Sequence, residues 1–449
     1  MPNKLDLIVI GTGAAGSTVA HNCRSAGWEV AVVDSRPFGG TYRLRGCDPK
    51  QILVGAAQLM DWNQRMLGHG MASGDIHIDW PALIRFKRTF TDPVPENREK
   101  GFVEAGIATY HGRAHFVDRT TLEVNGERLS SRYVVIAAGA KRAALNIPGE
   151  AHLTSSTQFL ELGQIPRQIL FVGGGYISFE FAHIAARAGA RVRILHDTAR
   201  PLVGFDPDLV DQLVQATREI GVDVRLNSPV TAIEKKSEHF IVHVATEKGE
   251  QTFEANMAVH GAGRVPEIDD LDLEQAGVKR ERRGVVVNEY LQSVSNPAVY
   301  AAGDAAAAGL PLTPVASMEG SIVASNLLEG NHYKPDFRAV PTVVFTVPAL
   351  AGVGLQEEVA REQGLKCRVN QGDTSSWYTS RRIRMKHTGF KVLIEEESER
   401  ILGAHLLIPQ AEEVINLFAA AIRFGITASD LKRMVYAYPT SSSDIGPML

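Results

Sequence analysis

Apolar residues along the chain fall into short continuous runs broken by glycine, and one such arrangement occurs twice. Leu7-Ile8-Val9-Ile10 is an apolar run of strand length that stops at Gly11-Thr12-Gly13-Ala14-Ala15-Gly16. A helix-compatible stretch from Ser17 to Ala26 follows, then a second strand from Glu29 to Val33 that ends in Asp34. Far downstream the order returns, with a strand Gln168 to Val172, a turn Gly173-Gly174-Gly175-Tyr176-Ile177-Ser178, and a helix through Ala188. A strand Arg191 to Leu195 then runs into His196-Asp197. From Val340 onward the pattern becomes mixed and antiparallel: Pro341 to Thr346, Phe390 to Ile394 and Ile401 to Leu407 read as strands. Glu412 to Phe424 places Val414, Ile415, Leu417, Phe418 and Ile422 at helical spacing, which predicts a helix packed on a core.

Strand, glycine turn, helix, strand and terminal acid together predict a dinucleotide site. In such a turn Gly11 permits the bend, Gly13 lets backbone approach a pyrophosphate, and Gly16 allows close packing of helix on strand. The phosphates sit on the positive end of the helix, and Asp34 accepts hydrogen bonds from a ribose. In the second copy Ser178 stands where the third glycine belongs, which loosens the match. Asp197 favours a free ribose hydroxyl there, whereas His196 and Arg200 would attract a 2′-phosphate; NADH is the reading adopted and NADPH the alternative. A chain that holds two dinucleotides in separate folds moves electrons between them.

Length and charge limit the other possibilities. A chain of 449 residues exceeds one ordinary core and implies two to four domains. Lys and Arg number 47 against 51 Asp and Glu, so the net charge of −4 gives no electrostatic case for nucleic acid or anionic membrane and leaves small partners. Three dispersed cysteines, Cys23, Cys47 and Cys367, fit a reducing compartment, the cytoplasm by default. Lys4 followed by Leu7 to Ile10 imitates an export signal, but Asp6 and the glycines interrupt it. No apolar run reaches the roughly 18 residues that cross a bilayer, and the 14 histidines are scattered without a metal-ligand cluster.

The segment Gly39-Gly40-Thr41-Tyr42-Arg43-Leu44-Arg45-Gly46-Cys47-Asp48-Pro49-Lys50 resembles the redox motif of the pyridine nucleotide-disulfide oxidoreductases, the family of glutathione reductase, dihydrolipoamide dehydrogenase and mercuric reductase. That motif reads Gly-Gly-Thr-Cys, four residues, then Cys, with proline and lysine close behind; Cys47, Pro49 and Lys50 match it and Tyr42 does not. Ala137-Ala138-Gly139, Gly261 to Pro266, Val299 to Asp304 and Leu312 to Ala316 are similar to further family motifs in the family's order. The resemblance implies an α/β architecture of two doubly wound, Rossmann-like domains plus an α+β domain. FAD would occupy 1–150 with 268–335, NAD(P)H the inserted 151–267, and 336–449 would form a homodimer interface. It further implies that Gly40, Thr41, Gly46, Ala114, Ala138, Gly139, Gly263, Gly303, Asp304, Thr313 and Ala316 serve FAD, with Asp304 on the ribityl chain. On the nicotinamide side it implies Gly173, Gly175, Ile177 and Tyr176, the last covering the flavin until nicotinamide displaces it. Lys50, near the flavin N5, would pair with Glu180.

Departures from the family pattern set the chemistry that remains. A dithiol relay needs a second thiol and a base. Tyr42 removes the thiol. Tyr438 stands where the family's histidine belongs, and Ser443 where its orienting glutamate belongs; a tyrosine with pKa of about 10 is a poor base near neutrality. The chain ends at Pro447-Met448-Leu449 without the cysteine pair that mercuric reductases carry, which argues against mercuric ion. Cys47 is read either as a buried, inert remnant, favoured by the neighbouring Asp48, or as a reactive thiol. Arg43 and Arg45 are read as solvent-facing, or as turned toward Tyr42 to favour an anionic acceptor. Tyr42 either plugs the old disulfide space or stacks on a planar acceptor such as a quinone. The leading expectation is direct electron transfer to a quinone, oxygen, a dye or an oxidised metal complex. Alternatives are a single-cysteine reductase of peroxide, mixed disulfide or polysulfide, and a low-turnover flavin sensor or structural protein.

Overall fold

The computed structural model describes residues 5–72, 74, 76–247 and 249–449; Lys4, weighed above as part of an export signal, lies outside the described residues. The chain separates into two compact units. One comprises the residues up to Gln51 with Arg85–Ala143 and Gly263–Phe337; the other comprises Ile52–Ile84, Ala144–Ala262 and Arg338–Leu449.

The first unit is built on β1 (Leu5–Ile10), β2 (Val30–Asp34), β3 (Ala108–His111), β4 (Ala114–Phe116), β5 (Thr121–Val124), β6 (Glu127–Ile136) and β18 (Val299–Ala301), ordered β3-β2-β1-β6-β5-β4 with β18 also on β6. The pairs β2–β3, β1–β2, β1–β6 and β6–β18 are parallel. Parallel strands buried on both faces require apolar residues at every position, which is why Leu7 to Ile10 is a continuous run. Helix α1 (Ala14–Ser25) packs along α9 (Thr313–Glu329). It begins three residues before the expected Ser17, because the glycine turn is only three residues long and Gly16 is already helical. Helices α2 (Gly40–Leu44), the first turn of α3 (Cys47–Met66), the greater part of α4 (Trp80–Thr91) and α5 (Val94–Glu104) complete the unit. The outgoing and returning crossover segments meet as a two-stranded ribbon, β7 (Ala140–Arg142) against β15 (Arg264–Pro266). A second small ribbon joins β16 (Arg280–Glu281) to β17 (Gly284–Val285).

The second unit contains the repeat of the nucleotide fold. Its parallel sheet orders β10 (Asp223–Arg225), β9 (Arg191–Leu195), β8 (Gln168–Val172) and β14 (Met257–His260), with helices α6 (Ser156–Phe159), α7 (Tyr176–Arg187) and α8 (Pro207–Glu219). Strands β8 and β9 have the bounds expected from their apolar runs. A meander of β11 (Val230–Lys235), β12 (Phe240–Thr246) and β13 (Gly249–Ala255) precedes β14. The C-terminal part is a five-stranded antiparallel sheet, β19 (Thr342–Val344), β20 (Ala349–Gly354), β23 (Ile401–Ile408), β22 (Gly389–Glu395) and β21 (Cys367–Asp373). Helices α10 (Glu357–Glu362) and α11 (Tyr378–Arg381) lie between its strands in sequence. Helix α12 (Ala411–Phe424) buries Val414, Ile415 and Phe418 in this core, the face its spacing predicts. Nucleotide fold and C-terminal sheet form one unit because a single apolar core joins Leu53, Phe171, Phe179, Leu209, Leu350 and Leu407.

Candidate active site

In the first unit the glycine turn is fitted to a pyrophosphate. Gly11 has φ +105°, and a Cβ there would stand 2.2 Å from the Ala137 carbonyl oxygen; one on Gly16 would stand 2.0 Å from the Gly11 oxygen. Ala15 is buried against the core, and no side chain caps the start of α1, so its leading N–H groups face outward from the turn for an anion. Buried Thr12 ties the site together. Its N–H and hydroxyl donate to Asp34 Oδ2 at 2.9 and 2.7 Å, and its hydroxyl accepts from Gly39 N at 3.2 Å. Asp34 Oδ1 accepts from Arg36 N at 3.0 Å. A groove of about 520 Å³ opens beside Asp34, lined by Arg36, Phe38, Pro95 and His111, with Phe38 stacked 4.4 Å from the His111 ring. This space and carboxylate suit an adenosine.

Gly40 carries the turn to the next motif. Its φ is +70°, and a Cβ would fall 2.4 Å from Gly13 Cα, so the two glycine segments pack backbone on backbone. Thr41 O accepts from Arg45 N at 2.8 Å, and a Cβ on Gly46 would press the Thr41 side chain and carbonyl at 3.1 Å. Cys47 opens α3 and is exposed, its Sγ 3.5 Å from Thr313 Oγ1. That corrects the expectation of a buried remnant: a residue at a helix start beside a hydroxyl has no apolar shell. Asp48 is held above the usual carboxylate range by burial, with Arg43 opposing. Lys50 is half-buried in the first turn of the same helix.

Tyr42 does not merely fill space. Its phenol oxygen accepts from Arg43 Nε at 3.0 Å and from Arg98 Nη2 at 3.1 Å, and the Arg43 guanidinium lies 5.5 Å from the ring centre. Arg43 is exposed and turned toward Tyr42. Arg45, expected to face solvent, is instead half-buried; burial pushes its guanidinium below the ordinary value, Arg36 adds to this, and Asp34 and Glu267 oppose it. Arg98, on α5, had no signal in the sequence, because nothing in a lone helical arginine announces a partner 56 residues away.

Asp304, in a one-turn 3₁₀ helix after β18, has its carboxyl pushed up by burial with Arg264 opposing. Gly303 has φ +66° and lies against Ala316, which is nearly buried in α9; Thr313 is the first residue of that helix. Gly139 and Gly263 both have positive φ, and Gly263 O accepts from Ala143 N at 3.1 Å in the crossover ribbon that Ala138 leads into. Ala114 points into the core from β4, which leaves only its backbone for a ligand. Glu319 was missed. It is 1% exposed in α9 and accepts from Gly303 N at 2.6 Å and Gly309 N at 3.3 Å. Burial lifts its carboxyl to about 7 against the two backbone donors, with Asp304 adding to the lift.

In the second unit Gly173 has φ +103°, and a Cβ would meet Ala262 Cα at 2.5 Å. Gly175 precedes α7 without a side-chain cap, Ile177 is half-buried, and Tyr176 is 47% exposed. Ser178 is accommodated by a second glycine: its buried Oγ lies where a Cβ on Gly261 would be, 2.0 Å away, and has no hydrogen-bond partner. Glu180 is buried and accepts from Phe345 N at 2.9 Å.

His196 and Arg200, weighed above as phosphate ligands, both make contacts within the second unit. His196 Nδ1 accepts from Gly174 N at 3.1 Å and Nε2 lies 3.0 Å from Arg200 O, so the ring holds the glycine turn. Asp197 Oδ1 lies 3.0 Å from the same Nδ1. Arg200 donates to Phe205 O at 3.1 Å and Gln356 Oε1 at 3.3 Å. The Asp197 side chain is 66% exposed. Tyr438 is 80% exposed, and Ser443 caps a short 3₁₀ turn, donating to Thr440 O at 2.6 Å rather than orienting a base. No helix among the described residues is long and apolar enough to cross a membrane.

Comparison with known proteins follows these features closely. Residues 5–320 match the family model described as pyridine nucleotide-disulphide oxidoreductase, and 340–448 match that family's dimerisation domain. Mercuric reductase of Staphylococcus aureus is 30% identical over 445 residues, covering 98% of this chain and 81% of that protein. Glutathione reductase of Burkholderia cepacia is 30% identical over 440 residues, covering 98% and 97%. Among solved structures, the Cu(II) complex of the HOCl-induced flavoprotein disulfide reductase RclA from Escherichia coli superposes with a TM-score of 0.89 at 28% identity over 99% of each chain.

Proposed function

The chain belongs to the pyridine nucleotide-disulphide oxidoreductase family, and on that premise we propose that it carries electrons from NAD(P)H by way of FAD directly to a small acceptor, without a dithiol relay. Tyr42 carries this reading: a phenol fixed by Arg43 and Arg98 stands where the relay requires a thiol. No other cysteine replaces it. Cys23 is buried in the first unit with its thiol pushed up to about 12, and Cys367 belongs to β21 of the second.

The chemistry FAD supplies when bound is two-electron exchange with nicotinamide and with the acceptor. This chain's residues bind and bias it. The Gly11 to Gly16 turn and α1 hold pyrophosphate, Asp34 holds the ribose, and Asp304 accepts from the ribityl chain. Lys50 supplies positive charge where negative charge develops on the ring system, and Tyr176 gates the nicotinamide position. NADH is the favoured donor, because His196 and Arg200 are engaged in the turn while Asp197 remains to hold a free ribose hydroxyl. At the exit, the Tyr42 ring offers a face for a planar acceptor, and the two guanidinium groups favour an anionic one. An oxidised metal complex stays among the acceptors, given that the solved relative is a Cu(II) complex. The match to the dimerisation domain supports a homodimer.

Acceptor reduction by Cys47→Ser tests this reading. Turnover within about threefold of the parent is expected with a quinone or ferric chelate; loss of all acceptor reduction in a variant that keeps its FAD would overturn it. A second reading, reduction of peroxide, mixed disulfide or polysulfide at Cys47, is favoured by the exposure of that thiol and by the disulfide reductase activity named for RclA. It requires a dimedone adduct or a thiol adduct on Cys47 of the oxidised protein, and an unmodified mass would exclude it.

A further inference from the structure

We propose that the second unit carries a separate binding pocket for a small amphipathic organic anion, floored by Arg65 and Arg187. The cavity has a volume of about 770 Å³, within the range of small-molecule sites. It is remote from the dinucleotide turn of the same unit. Its lining includes Ala186 to Gly189 at the C-terminal end of α7, whereas the turn lies at the other end of this 12-residue helix, about 18 Å away at 1.5 Å per residue.

The charge balance points to the ligand class. Among the described residues, four fixed cations, Arg65, Arg187, Arg384 and Lys386, line the cavity against two carboxylates, Asp61 and Glu219. At the floor a single carboxylate faces two guanidinium groups: Asp61 accepts from Arg65 Nε at 2.6 Å and from Arg187 Nη2 at 2.5 Å. The Arg187 side chain is 4% exposed; Nη1 donates to His183 O at 3.1 Å and Nη2 to Val347 O at 3.4 Å, while its buried Nε has no hydrogen-bond partner among the described residues. Burial pushes the Arg187 guanidinium below its ordinary value, Asp61 opposes this, and Arg65 adds to it. Two guanidinium groups that share one carboxylate leave positive charge in excess at the floor, and an anion that joins them is favoured. Glu219 is engaged by His387 at 2.9 Å and by Lys386 at 3.6 Å, which leaves Arg384 as the rim cation with no carboxylate partner among the described lining residues. Met60, Ile78, Ile220, Pro348 and Met385 give the remaining wall an apolar character, so the fitting molecule has a compact hydrocarbon body and one or two acid groups.

The probe is 8-anilinonaphthalene-1-sulfonate, titrated calorimetrically into the FAD-loaded protein, with neutral N-phenyl-1-naphthylamine as control. The expected result is one site per chain for the sulfonate, with at least tenfold weaker binding of the neutral amine. Arg65→Met should weaken the sulfonate about tenfold, and the exposed double variant Arg384→Ala/Lys386→Ala, which leaves the floor intact, about threefold with a reduced salt dependence. Asp61→Asn, by removing the competing carboxylate, should tighten it. Equal binding of the neutral amine, no site on the holoenzyme, or affinities unmoved by the rim variant and by Arg65→Met would each overturn the proposal.

Discussion

Glu319→Gln should change sign in its effect on stability between pH 4 and pH 8. The carboxyl titrates at about 7 in the folded chain against 4.5 in an open one, because burial in α9 penalises the ionised form more than Gly303 N and Gly309 N reward it. A group whose folded pKa is raised holds its proton more tightly when folded. Its favourable contribution is present below about pH 4.5 and is lost as pH rises to 7. At roughly 1.4 kcal/mol per pH unit, the ionised carboxylate opposes folding by about 3 kcal/mol at pH 8. Glutamine cannot ionise, but it has one oxygen where the carboxyl uses two. It would keep the 2.6 Å bond from Gly303 N and lose the 3.3 Å bond from Gly309 N, costing about 1 kcal/mol. The variant should therefore be about 1 kcal/mol less stable at pH 4, about equal to the parent at pH 5 and about 2 kcal/mol more stable at pH 8. Amide hydrogen exchange of Val299–Ala301 in the FAD-free protein reads the local opening free energy next to Glu319. Parallel pH profiles for parent and variant would refute the reasoning.

Other consequences concern the two glycine turns. Gly11→Ala places a Cβ against the Ala137 carbonyl at a positive φ; the purified protein should contain less than a tenth of the parent's FAD, read by absorbance after denaturation. Ser178→Ala removes a buried hydroxyl without a partner and should raise stability by up to about 1 kcal/mol, whereas Gly261→Ala at the facing position should lower it by several kcal/mol, both followed by thermal unfolding. Asp197→Ser should shift the ratio of kcat/KM for NADPH over NADH upward by about tenfold, since it removes the exposed carboxylate that repels a 2′-phosphate.

Much of this organisation is legible along the chain because parallel strands and their glycine turns are set by local sequence. The bounds of β8 and β9 follow from apolar runs that cannot extend past Arg191 or Gly173, and the contact face of α12 follows from the spacing of Val414, Ile415 and Phe418. What the sequence hides is contact between distant segments. Arg98 meets Tyr42 across 56 residues, and Glu319 anchors the Gly303 backbone only once α9 folds back along the turn that precedes it. The internal contacts of His196 and Arg200 are hidden for a related reason: the tight turn at Gly174 and the carbonyl of Phe205 reach them only once the chain is folded. Cys47 misleads in the opposite direction, since its place at the exposed start of α3 depends on where the preceding turn ends rather than on its own apolar character.

The absence of a relay is tested most directly by counting electrons. An anaerobic reductive titration of the FAD-loaded protein with dithionite should consume two electrons per flavin, and the Cys47→Ser variant should give the same number, because Tyr42 leaves no second thiol to store a further pair. Uptake of four electrons per flavin by the parent, falling to two in the variant, would contradict the account.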